Sequence, residues 1–134
     1  MGGESQLLGK RGECAVIGKL MEMGCDVYQP LVDTKRIDCV IRSEKGEYKE
    51  IQVKTRTPSD EHGARVFAVH GFRERKNYFI ICHFIGTSDY WVLPSRIFEK
   101  HAVANKRDFT HFTMTGKKQF ELTRYHNNFD LLKK

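Results

Sequence analysis

The sequence has 134 residues, 40% of them hydrophobic and 11% aromatic, which suffices for one hydrophobic core and leaves no length for a second. Its longest apolar runs, such as YFIICHFIG, are too short to span a bilayer, and the N-terminus lacks the apolar region of a signal peptide. Lys and Arg number 23 against 17 Asp and Glu, a net charge of +6 that favours polyanionic partners such as nucleic acid. The expectation is a single domain, 1–134, in the cytoplasm with no membrane partner.

Residues 5–23 repeat apolar positions at helical spacing, with Ser5 as N-cap and Gly24 placed to end the helix in a left-handed conformation. CDVYQP follows as a short strand closed by Pro30. KRIDCVIRS and YKEIQVKTRT flank the turn EKGE and predict a β-hairpin. A polar loop, PSDEHGA, leads to three more strands, RVFAVHGF, NYFIICHFIG and DYWVLPS, for a sheet of about five or six strands. Pro94 and Ser95 open a short helix through RIFEKH. Beyond it the alternation predicts a last strand or two, and NNFDLLKK a docked terminal helix. A helix, a run of strands and further helices define an α+β domain with helices against a mixed sheet.

Two acids stand where apolar residues are expected. Val16, Ile17 and Leu20 lie three, four and seven positions after Glu13, so Glu13 shares the apolar face of the first helix, while Arg11, Lys19 and Glu22 occupy the opposite arc. Asp38 interrupts the apolar run RIDCVI, although aspartate is disfavoured in strands. With the hairpin turn centred near Lys45, Asp38 and Gln52 are each seven residues from the centre and face each other across the ladder. Glu50 and Lys54 flank Gln52 on the same face.

This cluster suits divalent-metal phosphodiester hydrolysis. Mg²⁺ takes one or two carboxylates and keeps several waters and a phosphate oxygen. Asp38 can supply the first ligand, the Gln52 carbonyl an uncharged second, and Glu13 can bind the metal or a water on it. Lys54 can hold the attacking water and stabilise a pentavalent phosphate. The cysteines at 14, 25, 39 and 82 form no CxxC pair, and the six histidines show no HxxxH or HExxH spacing, so neither disulfides nor zinc are indicated.

The run from residue 9 to residue 57, GKRGECAVIGKLMEMGCDVYQPLVDTKRIDCVIRSEKGEYKEIQVKTRT, resembles the core of the PD-(D/E)xK nuclease superfamily, which includes restriction endonucleases, archaeal-type Holliday-junction resolvases and some homing endonucleases. By this resemblance Glu13 matches the helix glutamate, Asp38 the metal-binding aspartate, and Gln52 with Lys54 the closing (D/E)xK pair. DYWVLPS is similar to a segment common in small bacterial members. Ile37 precedes Asp38 where proline is common. Gln52 replaces the second acid, which removes a negative charge and weakens metal affinity unless Glu50 compensates. QxK variants resemble a branch of homing endonucleases encoded in group I introns.

The resemblance implies an α/β restriction-endonuclease-like core and a Mg²⁺- or Mn²⁺-dependent DNA endonuclease of the homing or Holliday-junction-resolvase kind. One site cuts one strand, so a homodimer or homotetramer is expected. Arg56, Arg65, Arg73, Arg75 and Lys76, on loops beside the proposed site, are the expected DNA contacts. The alternative is a catalytically inactive DNA-binding protein that retains the fold, with Gln52 as the mark of the lost activity.

Overall fold

The computed structural model describes residues 2–32, 37–61 and 63–134. Lys35 and Arg36, which begin the predicted second strand, and His62 of the predicted loop lie outside them. The first helix, α1 (Gly2–Glu22), starts before Ser5, so Ser5 is an exposed residue inside the helix and does not cap it. Serine is only mildly unfavourable within a helix, and the helix runs through it. At the other end Gly24 has φ +84°, as expected of a left-handed C-terminal glycine. Its N–H donates to Met21 O and that of Cys25 donates to Leu20 O, both at 3.0 Å, which satisfies two of the last carbonyls.

Five strands form one mixed sheet: β1 (Asp26–Tyr28), β2 (Cys39–Arg42), β3 (Tyr48–Arg56), β5 (Tyr78–Phe84) and β6 (Tyr90–Pro94), in the order β1-β2-β3-β5-β6. The β2/β3 hairpin is antiparallel, with Cys39 opposite Ile51 and Val40 opposite Glu50, and Gly46 at φ +84° in its turn. β3 then pairs in parallel with β5, which is buried along all seven residues and reads accordingly as an unbroken apolar run. The predicted strand RVFAVHGF does not join this sheet. It forms β4 (Val66–His70), which pairs with β8 (Phe109–Thr113), itself paired with β7 (Val103–Ala104), in a separate three-stranded sheet.

The large sheet separates two cores. On one face Val16 and Leu20 of α1 pack on Cys39, Ile41, Ile51 and Val53. On the other, Ile97 and Phe98 of α2 (Ser95–His101) and Phe67, Val69 and Phe112 of the small sheet pack on Tyr78, Ile80 and Cys82. Pro94 occupies the N-cap of α2. Ser95 turns away from the helix: its Oγ donates to Arg75 O at 2.7 Å and accepts from Arg75 N–H at 3.1 Å, tying the loop before β5 to the helix.

The last strands expected in the C-terminal third are β7 and β8, and the chain departs from expectation after them. After β8 the chain forms α3 (Gly116–Glu121), capped by Thr115, whose side chain accepts from Lys118 N–H at 3.1 Å. In place of a terminal α-helix, Phe129–Leu132 make a 3-10 turn that inserts Phe129 and Leu132 into the core beneath α1. Buried Lys49 holds this turn, its Nζ donating to Leu131 O and Leu132 O at 3.3 Å. No helix among the described residues is long and apolar enough to cross a membrane.

Candidate active site

β3 alternates its side chains between the two cores. Ile51 and Val53 face α1, while Gln52 pairs with Ile80 and Lys54 with Cys82, residues of the opposite core. Continuing the hairpin register would set Asp38 against Gln52. Instead β2 begins at Cys39, and Asp38 makes its own two links to β3. Its N–H donates to Ile51 O at 2.8 Å and its Oδ2 accepts from Val53 N–H at 2.7 Å. One short acidic residue thus stitches the strand entrance to β3 through backbone and side chain together.

Glu13 approaches from α1. Its side chain is 14% exposed, pairs with Lys10 at 3.2 Å and accepts from Gln29 Nε2 at 3.5 Å. The helical-face reading that marked Glu13 as out of place is matched by this burial, and its lysine partner is one helical turn earlier. Glu13, Asp38, Gln52 and Lys54 all line one cleft of about 430 Å³, with Gly9 and Lys10 on its rim. A second hollow, of about 230 Å³, continues past Glu13 and Asp38 to Gln29 and Leu31.

Electrostatics record the same convergence. Cys39, next to Asp38, has its thiol pKa pushed up to about 12, first by burial and then by the carboxylates of Asp38 and Glu13. Cys82, across the ladder from Lys54, is also raised by burial, and Lys54 acts in the opposite sense. Both thiols are free and buried and pack as small hydrophobes, as their place in apolar patterns predicts.

Gln52 is 7% exposed and its Oε1 accepts from Tyr78 O–H at 3.3 Å. Above Tyr78 sits the Arg75 guanidinium, 3.8 Å from the ring centre, and Arg75 in turn pairs with Glu50 at 2.7 Å. Glu50 is thus held by Arg75 at the β5 side of the strand, and the residues lining the cleft do not include it. Tyr78 carried no signal in the sequence beyond its apolar run, because its contact with Gln52 depends on the parallel pairing of β3 with β5.

The five cations expected to meet DNA are disposed differently. Arg56 donates to Gly63 O at 2.6 Å and Ala64 O at 3.1 Å, closing the loop after β3. Arg65 donates to Met114 O at 2.9 Å and lies 4.7 Å from the Phe84 ring centre. Arg73 pairs with Asp108 at 3.1 Å, and Arg75 with Glu50. Lys76 is exposed and lines, with Arg75 and Arg96, a separate depression of about 520 Å³.

A mixed sheet entered by an acidic residue at the start of β2, crossed on one face by a helix bearing a second acid, defines a restriction-endonuclease-like nuclease fold. The chain belongs to the PD-(D/E)XK endonuclease family, whose model matches residues 4–104. No curated protein matches it. Six chains among the solved structures do. One is a bacterial homing endonuclease, I-Ssp6803I, with a TM-score of 0.70 and 21% identity, covering 96% of this chain and 93% of that one. At that identity the likeness is one of fold.

Proposed function

We propose that the chain is a divalent-metal-dependent endonuclease that hydrolyses phosphodiester bonds in DNA, as a single domain of 134 residues acting in the cytoplasm. The observation that carries this reading is that Glu13 from α1, Asp38 before β2, and Gln52 and Lys54 from β3 reach the same cleft. Family membership supports the reaction class.

The donor set fits a hard cation. Asp38 and Gln52 would hold Mg²⁺ or Mn²⁺, and Glu13 would hold it or one of its waters, since such ions take one or two carboxylates and keep several waters. Among the described residues no three His, Cys, Asp or Glu side chains converge, so the Gln52 amide is the third oxygen on which the reading relies. When bound, the ion supplies Lewis-acid polarisation of a phosphate oxygen and acidifies a water. The Lys54 ammonium would hold the attacking water and stabilise the charge that gathers on the pentavalent phosphate, with Glu13 on the metal or on one of its waters. The water oxygen bonds to phosphorus as one ester P–O bond breaks; one proton of the water passes to solvent, and the departing oxygen takes up a proton from solvent.

Within this class we favour a homing-endonuclease-like role over a Holliday-junction-resolvase-like one, because the structural neighbour covering 96% of the chain is a homing endonuclease. Cleavage of both strands needs two sites, which calls for a homodimer or homotetramer. A monomeric mass by light scattering at working concentration would refute that assembly. Among the cations proposed to contact phosphate, Lys76 is the first we assign, as Arg56, Arg65, Arg73 and Arg75 already serve carbonyls or carboxylates of the fold.

The test is incubation with Mg²⁺ or Mn²⁺ and a panel of supercoiled plasmid, linear duplex, single strand and four-way junction, with Asp38→Ala alongside. Cutting lost in the variant while DNA binding survives establishes the enzyme, and the preferred substrate selects its type. No cutting, together with no heat of Mn²⁺ binding, would replace this reading by that of an inactive DNA-binding protein.

A further inference from the structure

Gly12 is buried in α1, immediately before Glu13, and Thr55 follows Lys54 in β3. A Cβ added to Gly12 would lie 1.7 Å from Thr55 Oγ1, 2.7 Å from Thr55 Cβ and 2.8 Å from Thr55 Cγ2. Gly3, Gly9 and Gly18 of the same helix have nothing within 4 Å of such an atom. Among these glycines of α1 the close approach belongs to Gly12, against the strand position beside Lys54.

Rotation of Thr55 about χ1 would move its oxygen and methyl but not its Cβ. Carbon atoms rest about 3.5–4.0 Å apart, so a methyl at position 12 must push α1 from β3 by about 1 Å. Thr55 Oγ1 is buried with no hydrogen-bond partner, which leaves contact with the helix as the physical consequence of this side chain. The two neighbours of this contact are Glu13 and Lys54, which line the cleft from opposite elements.

We infer that Gly12 and Thr55 are positioning residues: their contact sets the distance at which Glu13 is presented to Lys54 across the cleft. The inference rests on the catalytic reading of those two residues. A misplacement of about 1 Å at a reacting centre costs roughly 10²-fold in rate, so the spacing is a kinetic quantity and not only a packing one.

The experiment compares the unmodified protein, Gly12→Ala, Gly12→Ala/Thr55→Gly and Thr55→Val for cleavage kcat and KM, thermal melting and Mn²⁺ affinity. Gly12→Ala is expected to lose roughly 10²-fold in kcat with KM for DNA changed by less than about threefold. Moving the open space to the strand in Gly12→Ala/Thr55→Gly should regain at least about tenfold. Should Gly12→Ala fail to fold, Thr55→Val decides. It replaces an unpartnered hydroxyl by a bulkier methyl at the same contact, so the gain from removing that hydroxyl should offset the added crowding in melting while kcat falls several-fold.

Unchanged kcat in Gly12→Ala or Thr55→Val, or no recovery in the double variant, would overturn the inference while leaving the nuclease reading intact. An unmodified protein that neither cuts DNA nor binds Mn²⁺ would overturn both.

Discussion

The hydroxyl of Tyr78 on β5 donates to Gln52 Oε1 on β3 at 3.3 Å, between side chains that are 2% and 7% exposed. The amide standing where the family motif has an acid is therefore oriented by a neighbouring strand. Tyr78→Phe removes a donor from a buried carbonyl, at a cost of about 1–2 kcal/mol in chemical denaturation. It also frees the amide to rotate, and a kcat drop of about tenfold is expected. Equal stability and equal rate would show that the hydroxyl does not hold Oε1.

Gln52→Glu returns a negative charge to the cleft without changing the length of the side chain. Metal affinity rises with the number of charged oxygen ligands, so Mn²⁺ binding by calorimetry should tighten by about tenfold. The Tyr78 hydroxyl can donate to either oxygen of the new carboxylate, so the fold should tolerate it. Weaker Mn²⁺ binding in this variant would remove Gln52 from the ligand set.

Glu50 is the acid nearest in sequence that could compensate for Gln52, yet it is paired with Arg75. Glu50→Ala should leave cleavage within about threefold and, because the pair is partly exposed at 36% and 41%, should cost less than about 1 kcal/mol of stability. A hundredfold loss of cleavage would mean that Glu50 leaves Arg75 when substrate binds.

His83 is 2% exposed, stacks on Tyr90 with ring centres 3.9 Å apart, and places Nδ1 2.9 Å from Asp89 O. Burial lowers its pKa below the ordinary 6.5, against the smaller upward pull of the Asp89 contacts. The unfolded chain then takes up a proton near 6.5 that the folded chain refuses. The stability linked to His83 is present above that pH and is lost as pH falls towards the lower folded value. His101, lowered first by burial and then by Lys118, acts in the same direction. Urea denaturation should show lower stability near pH 5.5 than near pH 7.5, and His83→Gln should shrink the difference. An unchanged pH slope in that variant would exclude His83 as a contributor.

What the sequence made legible was local. Gly24 ended α1 because a left-handed residue needs no long-range partner, and EKGE closed the hairpin for the same reason. Glu13 and Asp38 stood out because each broke a short apolar pattern. What escaped depended on contacts between distant segments. The strand at Val66–His70 looked like its neighbours, but Phe67 and Val69 pack among Phe84 and Phe112, which draws it into a second sheet. Thr115 was a readable cap inside a stretch whose alternation favoured a strand. The arginines were assigned by charge and loop position, neither of which reports that Arg56 and Arg65 would close on backbone carbonyls.

The Lys49 clamp on the carbonyls of Leu131 and Leu132 bears on how the protein is made. α1 and the hairpin leave the ribosome early, but Phe129 and Leu132, which complete the layer beneath the helix, emerge only after the other segments of that layer have been synthesised. A nascent chain therefore carries Glu13 on a helix that is not yet fully seated. Final seating of the helix thus waits on the segment of its layer that is made last, closed by a single ammonium group on two late carbonyls.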